Sequence, residues 1–267
     1  GGGLHVLDGN ARDEIPRLAA RLEICAVYVN RDYEPAANSR DGAVAHALAA
    51  LGVDFHTRKD QVIFEKDEVL TGAGTLFSVF TPYKNAWLKK LTPFYVKSYP
   101  VQKYASRLAP APSAVPSLQD LRFEQTGLSL KGGMAAGRAL FAEFKRRIAA
   151  YGGRRDYPAL KGPSYLSVHL RFGTVSIREL VRYALQQGSE GAAVWLSELA
   201  WRDFYFMVLA ARPDVAEGAF KKEFNVLKVD GAERDWQAWC SGNTGDPLVD
   251  AAMRQLNQTG YMHNRLR

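Results

Sequence analysis

The chain has 267 residues, room for two modest domains or one large one, and its 47% hydrophobic content argues against wholesale disorder. A formal net charge of +7 and a pI near 9.4 fit either plain solubility or a polyanionic partner, nucleic acid first. Two distant cysteines, Cys25 and Cys240, without CxxC or Cys/His spacing, argue against a disulfide framework or zinc site and for a reducing, cytoplasmic setting.

The start, GGGLHVLDGN, has neither the basic nor the apolar region of a signal peptide and no initiator Met. No apolar run reaches membrane-spanning length. The end, MHNRLR, stops inside what reads as a helix, so both ends read as cut.

Residues 13–22 carry Ile15, Leu18, Ala19 and Leu22 at helical spacing, and 24–29 (ICAVYV) read as a buried strand. GAVAHALAAL (42–51) reads as a helix stopped by Gly52, and VDFHTR (53–58) as a second strand. This order implies an α/β unit with a parallel sheet of few strands. Residues 79–91 read as a helix, and 92–117, with LAPAPSAVPS, as a linker over a surface. Beyond residue 118 the pattern is helical: 133–151, a helix opened by the Ser176–Glu179 capping box, 194–210, and one from Asp246-Pro247 to Gly260.

On the 194–210 helix, Glu198, Trp201, Arg202 and Tyr205 fall at i, i+3, i+4 and i+7 and share a face. An acid, a base and two large aromatics suit a half-buried site for a flat, hydrogen-bonding ligand. The same spacing describes an amphipathic helix with a snorkelling arginine. In 151–173, Gly162-Pro163 predicts a turn, with Ser164 and Ser167 at a helix start where a phosphate could sit or where serine simply caps. Arg154, Arg155 and Lys161 add positive charge there. His169 and His263 lack partners at metal spacing. The final TGYMHNRLR offers Asn264, Arg265 and Arg267. No Walker loop, GxGxxG or GxSxG is present.

FTPYKNAWLKKL, RRDYPALKGPSYLSVHLRFGTVSIREL, WLSELAWRDFY and AWCSGNTGDPLVDAAMRQLNQTGYMHNRLR occur in the order and approximate spacing of the photolyase/cryptochrome family. The chain resembles that family over nearly its whole length, on the side of the class I cyclobutane-pyrimidine-dimer photolyases. The resemblance implies α/β then all-α: a partial Rossmann-like parallel-sheet antenna domain (1–91), an interdomain linker (92–117) and a partial helical FAD-binding domain (118–267). It implies FAD as cofactor and ultraviolet-damaged DNA as partner, for a cytoplasmic monomer without membrane association. The implied activity is light-dependent electron transfer from excited reduced FAD to a flipped-out dimer. A cryptochrome-type receptor and an inactive truncated photolyase are the alternatives.

Carried over by position, Tyr151, Ser164, Leu166 and Ser167 match the flavin site, with Pro163 and Tyr165 in the same loop. Arg155 matches a DNA-contacting arginine, Glu198 the acid bonding the flipped dimer, Trp201 the tryptophan packed on it, and Asn264 the asparagine between flavin and substrate. Arg202 and Arg265 resemble phosphate contacts; Tyr205 shares the DNA-facing side. Trp239 resembles the outermost tryptophan of the electron-transfer chain. Folate-binding relatives carry an Asn-Glu pair where this chain has Ala36 and Ala37, and a Cys-Lys pair where it has Ala216 and Glu217. The resemblance therefore does not extend to a folate antenna, and the second chromophore stays open. The chain is also read as lacking the family's first strands and its C-terminal helices, which supply the asparagine near the flavin N5, the acid facing Arg267 and the two inner tryptophans.

Overall fold

The computed structural model describes residues 2–110, 115–124, 128, 130–226 and 231–267, so linker residues 111–114 lie outside the described residues. The chain divides into two compact units. One comprises Gly1–Gln125, Ser176–Arg182 and Leu199–Ala216; the other comprises Thr126–Val175, Tyr183–Glu198 and Glu217–Arg267.

The first unit opens with helix α1 (Ala11–Arg21), capped by the Asn10 side chain, which accepts from the Arg12 N–H at 3.0 Å. Strand β1 (Ala26–Asn30), helix α2 (Pro35–Ala50) and strand β2 (Asp54–Arg58) follow. The strands pair in parallel, Ala26 opposite Asp54 through Asn30 opposite Arg58, with α2 as the crossover. Ala19, Val44, Leu48 and Val53 form the buried centre of this unit, with Ile15, Ile24, Val27 and Phe55 packed against it. Helix α2 begins earlier than its apolar repeat because Pro35 is preset for the first helical turn. The segment read as a linker carries structure: helix α4 (Pro93–Val96) follows helix α3 (Phe80–Lys90), and a 3-10 helix spans Val101–Arg107.

The second unit is helical. It contains α5 (Gly133–Lys145), short α6 (Tyr151–Arg154) and α7 (Ser167–Arg171), then α10 (Glu233–Ser241) and α11 (Pro247–Thr259). Helices α8 (Ile177–Gln187) and α9 (Glu190–Ala211) each contribute to both units. Phe144 is fully buried, its ring 4.8 Å from Trp195 and edge-on to Tyr151 at 5.8 Å. The single helix expected over 133–151 stops at Lys145 and resumes as a 3-10 turn, Ile148–Ala150. Tertiary contact overrides propensity here. A Cβ on Gly191 would lie 2.3 Å from the carbonyl oxygens of both Ile148 and Ala149, so α9 approaches this turn as only glycine permits. Asp246 caps α11, accepting from Leu248 and Val249 N–H at 2.9 and 3.0 Å, and Gly260 closes it in the left-handed region. Among the described residues no helix is long and apolar enough to cross a membrane.

Candidate functional site

In the second unit the loop 161–167 is built by its neighbours. A Cβ on Gly162 would meet the Arg154 carbonyl oxygen at 2.3 Å, so only glycine lets the loop lie against the end of α6. Arg147 donates to the carbonyls of Lys161 and Gly162 at 3.0 and 2.7 Å while its Nε holds Glu143 at 3.0 Å. The Arg147 hydrogen bond, with help from Lys161, holds the Glu143 carboxyl below the usual range. Tyr165 adopts φ +58°, a left-handed conformation uncommon for a tyrosine. Its ring meets Tyr261 edge-on at 5.0 Å. The serines do not cap α7. Leu166 stands at the cap position, Ser167 is the first helical residue, and the Ser164 hydroxyl accepts from the Leu166 N–H at 3.4 Å.

This loop and the end of α11 enclose a cavity of about 420 Å³. Tyr165, Ser167, Tyr261, Thr259, Lys161 and Arg267 are among its lining. Two cations, hydroxyls and two aromatic rings in one cavity fit a ligand that joins a flat ring to an anionic group, and the volume falls within the roughly 300–1,000 Å³ of small-molecule sites. Lys161 also lies 3.3 Å from Glu143, which offsets part of its charge. Burial, then the neighbouring Tyr165, pushes the Tyr261 phenol up to about 12. The residues present therefore fit FAD in the parts the cavity can engage: its diphosphate by the two cations and a ring by the two tyrosines.

A polar network occupies the same unit. The Arg155 guanidinium donates to Glu198 and its Nε lies 3.4 Å from Asp156; Arg265 donates to Asp156 at 2.7 Å. Burial alone would lower the Arg155 pKa, but the Glu198 hydrogen bond and charge outweigh it and raise it. His263 is buried and donates through Nε2 to the Arg155 carbonyl at 2.8 Å, while its Nδ1 accepts from the Arg265 N–H at 3.1 Å. These two bonds fix the tautomer. They also hold the exposed Asn264, at the head of a 3-10 turn, beside the network. Tyr151 is buried with the Arg155 guanidinium 5.8 Å from its ring, and burial followed by the Glu198 charge pushes its phenol up to about 12.

The remaining expected residues of α9 belong to the first unit. Trp201 lies flat against Phe80, rings 3.6 Å apart and 11° from parallel, and is stacked with Tyr205 at 5.3 Å. Arg202 donates to the Gln61 carbonyl, with its guanidinium 4.7 Å over Phe206. Tyr205 is exposed. Trp239 is exposed on α10, stacked with Trp236 at 5.1 Å, and does not line the cavity. Of the expected flavin residues, Tyr165 and Ser167 line the cavity; Tyr151, Pro163, Ser164 and Leu166 do not.

Sequence reasoning passed over Asp203, fully buried in the first unit. Its Oδ2 accepts from the N–H groups of Ile63 and Phe64 at 3.0 and 3.1 Å and from Trp87 Nε1 at 2.9 Å. Burial pushes its carboxyl up to about 6 against the pull of those hydrogen bonds. Only the side-chain type was visible in advance: an acid beside apolar residues in the motif WRDFY.

Residues 1–105 match the family described as DNA photolyase, and residues 195–267 match the FAD binding domain of DNA photolyase. The chain belongs to the DNA photolyase family. A deoxyribodipyrimidine photo-lyase of a Synechococcus species is 38% identical over 99% of this chain and 58% of its own length. A class III photolyase of Agrobacterium tumefaciens shares the fold with a TM-score of 0.83 and 26% identity, over 97% of this chain and 56% of that one. An archaeal photolyase of Sulfolobus tokodaii, solved with two FAD molecules, gives a TM-score of 0.70 and 28% identity over 97% of this chain and 55% of that one. The chain thus spans a little over half the length of the photolyases it matches. Its α/β unit followed by helices is the photolyase arrangement.

Proposed function

We propose that this chain is a light-dependent carbon–carbon lyase of the class I type, splitting cyclobutane pyrimidine dimers in DNA with FAD as cofactor. The observation that carries the reading is the pairing, within one helical unit, of a two-cation cavity and the Glu198–Arg155–Asp156–Arg265 network that holds Asn264 beside it. The chain reads as an antenna part (1–91), a linker (92–117) and a flavin-binding part (118–267); the family matches at 1–105 and 195–267 support the order of the parts.

When bound and reduced, FAD supplies the light-excited electron that opens the cyclobutane ring. The residues do the positioning. Lys161 and Arg267 would neutralise the diphosphate, Ser167 would offer a hydroxyl to it, and the Tyr165–Tyr261 pair would pack against a ring from one side. Tyr151, Pro163, Ser164 and Leu166 shape the loop and its support from behind. Glu198 hydrogen-bonds the flipped pyrimidine, and Asn264 offers a donor and an acceptor to it. Arg155 and Arg265 meet DNA phosphates, as do the half-buried Arg202 and the exposed Tyr205 midway along α9. Trp201 presents a flat face to the extruded base. Trp239, with the more exposed Trp236 stacked on it, is the surface end of an electron route. Backbone contacts of this kind make binding salt-dependent, and the dimer costs less to extrude than an intact pair.

The test is a blue-light repair assay on thymine-dimer DNA with added FAD and reductant, the absorbance spectrum recorded first. Flavin uptake with dimer loss only in light supports the assignment. Flavin uptake without light-dependent loss overturns it.

A further inference from the structure

From Val69 to Gln119 the chain contains no Asp or Glu, while six lysines and arginines and eight aromatic residues fall in the same stretch. In the first unit its later part is surface: Phe94, Tyr99 and Tyr104 are 65%, 59% and 46% exposed. Every residue from Lys97 to Pro110 is exposed as well. Lys97 lies 4.3 Å over the Phe94 ring and 5.9 Å over Tyr99. Arg107 lies 5.2 Å over Tyr104, with Lys103 at 5.8 Å. Arg178 lies 5.2 Å over Tyr99 and is itself paired with Asp60, whereas among the described residues Lys97, Lys103 and Arg107 make no ion pair. Exposed rings five residues apart, attended by the unpaired cations Lys97, Lys103 and Arg107, are costly to leave in water. Together they supply what an unpaired strand needs: flat faces for bases and positive charge for phosphates.

We infer that the stretch from Phe94 to Arg107 binds single-stranded nucleic acid, bases stacking on Phe94, Tyr99 and Tyr104 and phosphates held by Lys97, Lys103 and Arg107. The contact needs neither a dimer nor flavin, so it stands independently of the repair assignment. A duplex is the poorer fit, because its stacked bases leave the three rings without a partner. An anionic lipid surface would use the cations and leave the spacing of the rings unexplained.

The experiment is fluorescence anisotropy of a labelled, undamaged oligothymidine with the 267-residue chain, in the dark, across a salt series. K97A/K103A/R107A is expected to flatten the log–log salt dependence by about 2, since each phosphate contact on a single strand contributes ~0.7. F94A/Y99A/Y104A is expected to weaken binding tenfold or more with the slope unchanged. All six side chains are exposed, so circular dichroism should show both variants folded. Crosslinking of a bromodeoxyuridine strand should label the peptide containing Tyr99 and Tyr104. Binding that survives either triple variant, or crosslinks confined to other peptides, overturns the inference. Equal affinity for phosphatidylserine–phosphatidylcholine vesicles, lost in the same variants, would replace it with a membrane contact.

Discussion

The Nε1–H of Trp87 donates to Oδ2 of Asp203 at 2.9 Å, and both residues are fully buried. This bond ties α3 to α9, and the Ile63 and Phe64 N–H groups converge on the same oxygen. Oδ1 has no partner among the described residues. Asp203→Ala leaves three buried donors unpaired and is expected to destabilise the protein by about 3–5 kcal/mol in urea denaturation. Asp203→Asn keeps an acceptor for those donors and should cost far less.

The same carboxyl sets a pH dependence. Its pKa is raised from 3.8 to about 6 on folding, so between those values the folded state holds a proton that the unfolded chain has lost. The stability this group contributes is full below pH 3.8 and falls as pH rises through 6. Relative to Asp203→Asn, the parent should lose stability between pH 4 and 7 by about 3 kcal/mol at most. A difference between the two proteins that stays flat over that range would contradict the assignment.

Arg155 and Glu198 form a partly buried pair, their side chains 23% and 34% exposed. Glu198→Gln should keep a hydrogen bond to the flipped base and retain part of the light-dependent repair yield. Complete loss would show that the charge itself is required. A double-mutant cycle with Arg155→Gln is expected to return a coupling of about 1 kcal/mol or somewhat more.

Lys161 and Arg267 are the cations of the cavity. Replacing either with Ala should weaken FAD binding roughly tenfold, the scale of one charge-assisted contact. Lys161→Ala should be the milder change, because Lys161 already shares its charge with Glu143 at 3.3 Å. Quenching of flavin fluorescence on titration measures both.

Gly162→Ala forces a methyl group to within 2.3 Å of the Arg154 carbonyl oxygen. The neighbour is backbone and cannot swing away. The loop must move, at about 2 kcal/mol or more of stability, and FAD affinity should fall with it. Thermal melting and flavin titration on the same sample test both parts.

The α/β part was legible because its signals are local. ICAVYV is apolar and β-branched, GAVAHALAAL has one strong helix repeat, and Gly52 marks its end at φ +71°. What escaped depends on distant neighbours. Nothing near residue 145 announces that α5 must stop to admit Gly191. Asp203 reads as an ordinary polar position because its donors lie 116 to 140 residues away in sequence. Spacing grouped Glu198, Trp201, Arg202 and Tyr205 on one helix, and they do share α9. It could not show that Arg155 would close on Glu198, or that Arg202 would turn to the Gln61 carbonyl. The cavity wall supplied by Thr259 and Gly260 was hidden for the same reason, since a helix end reads as a cap until another loop is laid against it.

The pairing of β1 with β2 also bears on how the backbone exchanges its amide protons. A two-stranded ribbon has an outer rim on each side, and among the described residues neither rim carries a third strand. Tyr28, 65% exposed on β1, stacks across the ribbon's face on its register partner His56 at 4.7 Å. In this 267-residue chain the outward-facing amides of β1 and β2 should therefore exchange ahead of those paired between the strands.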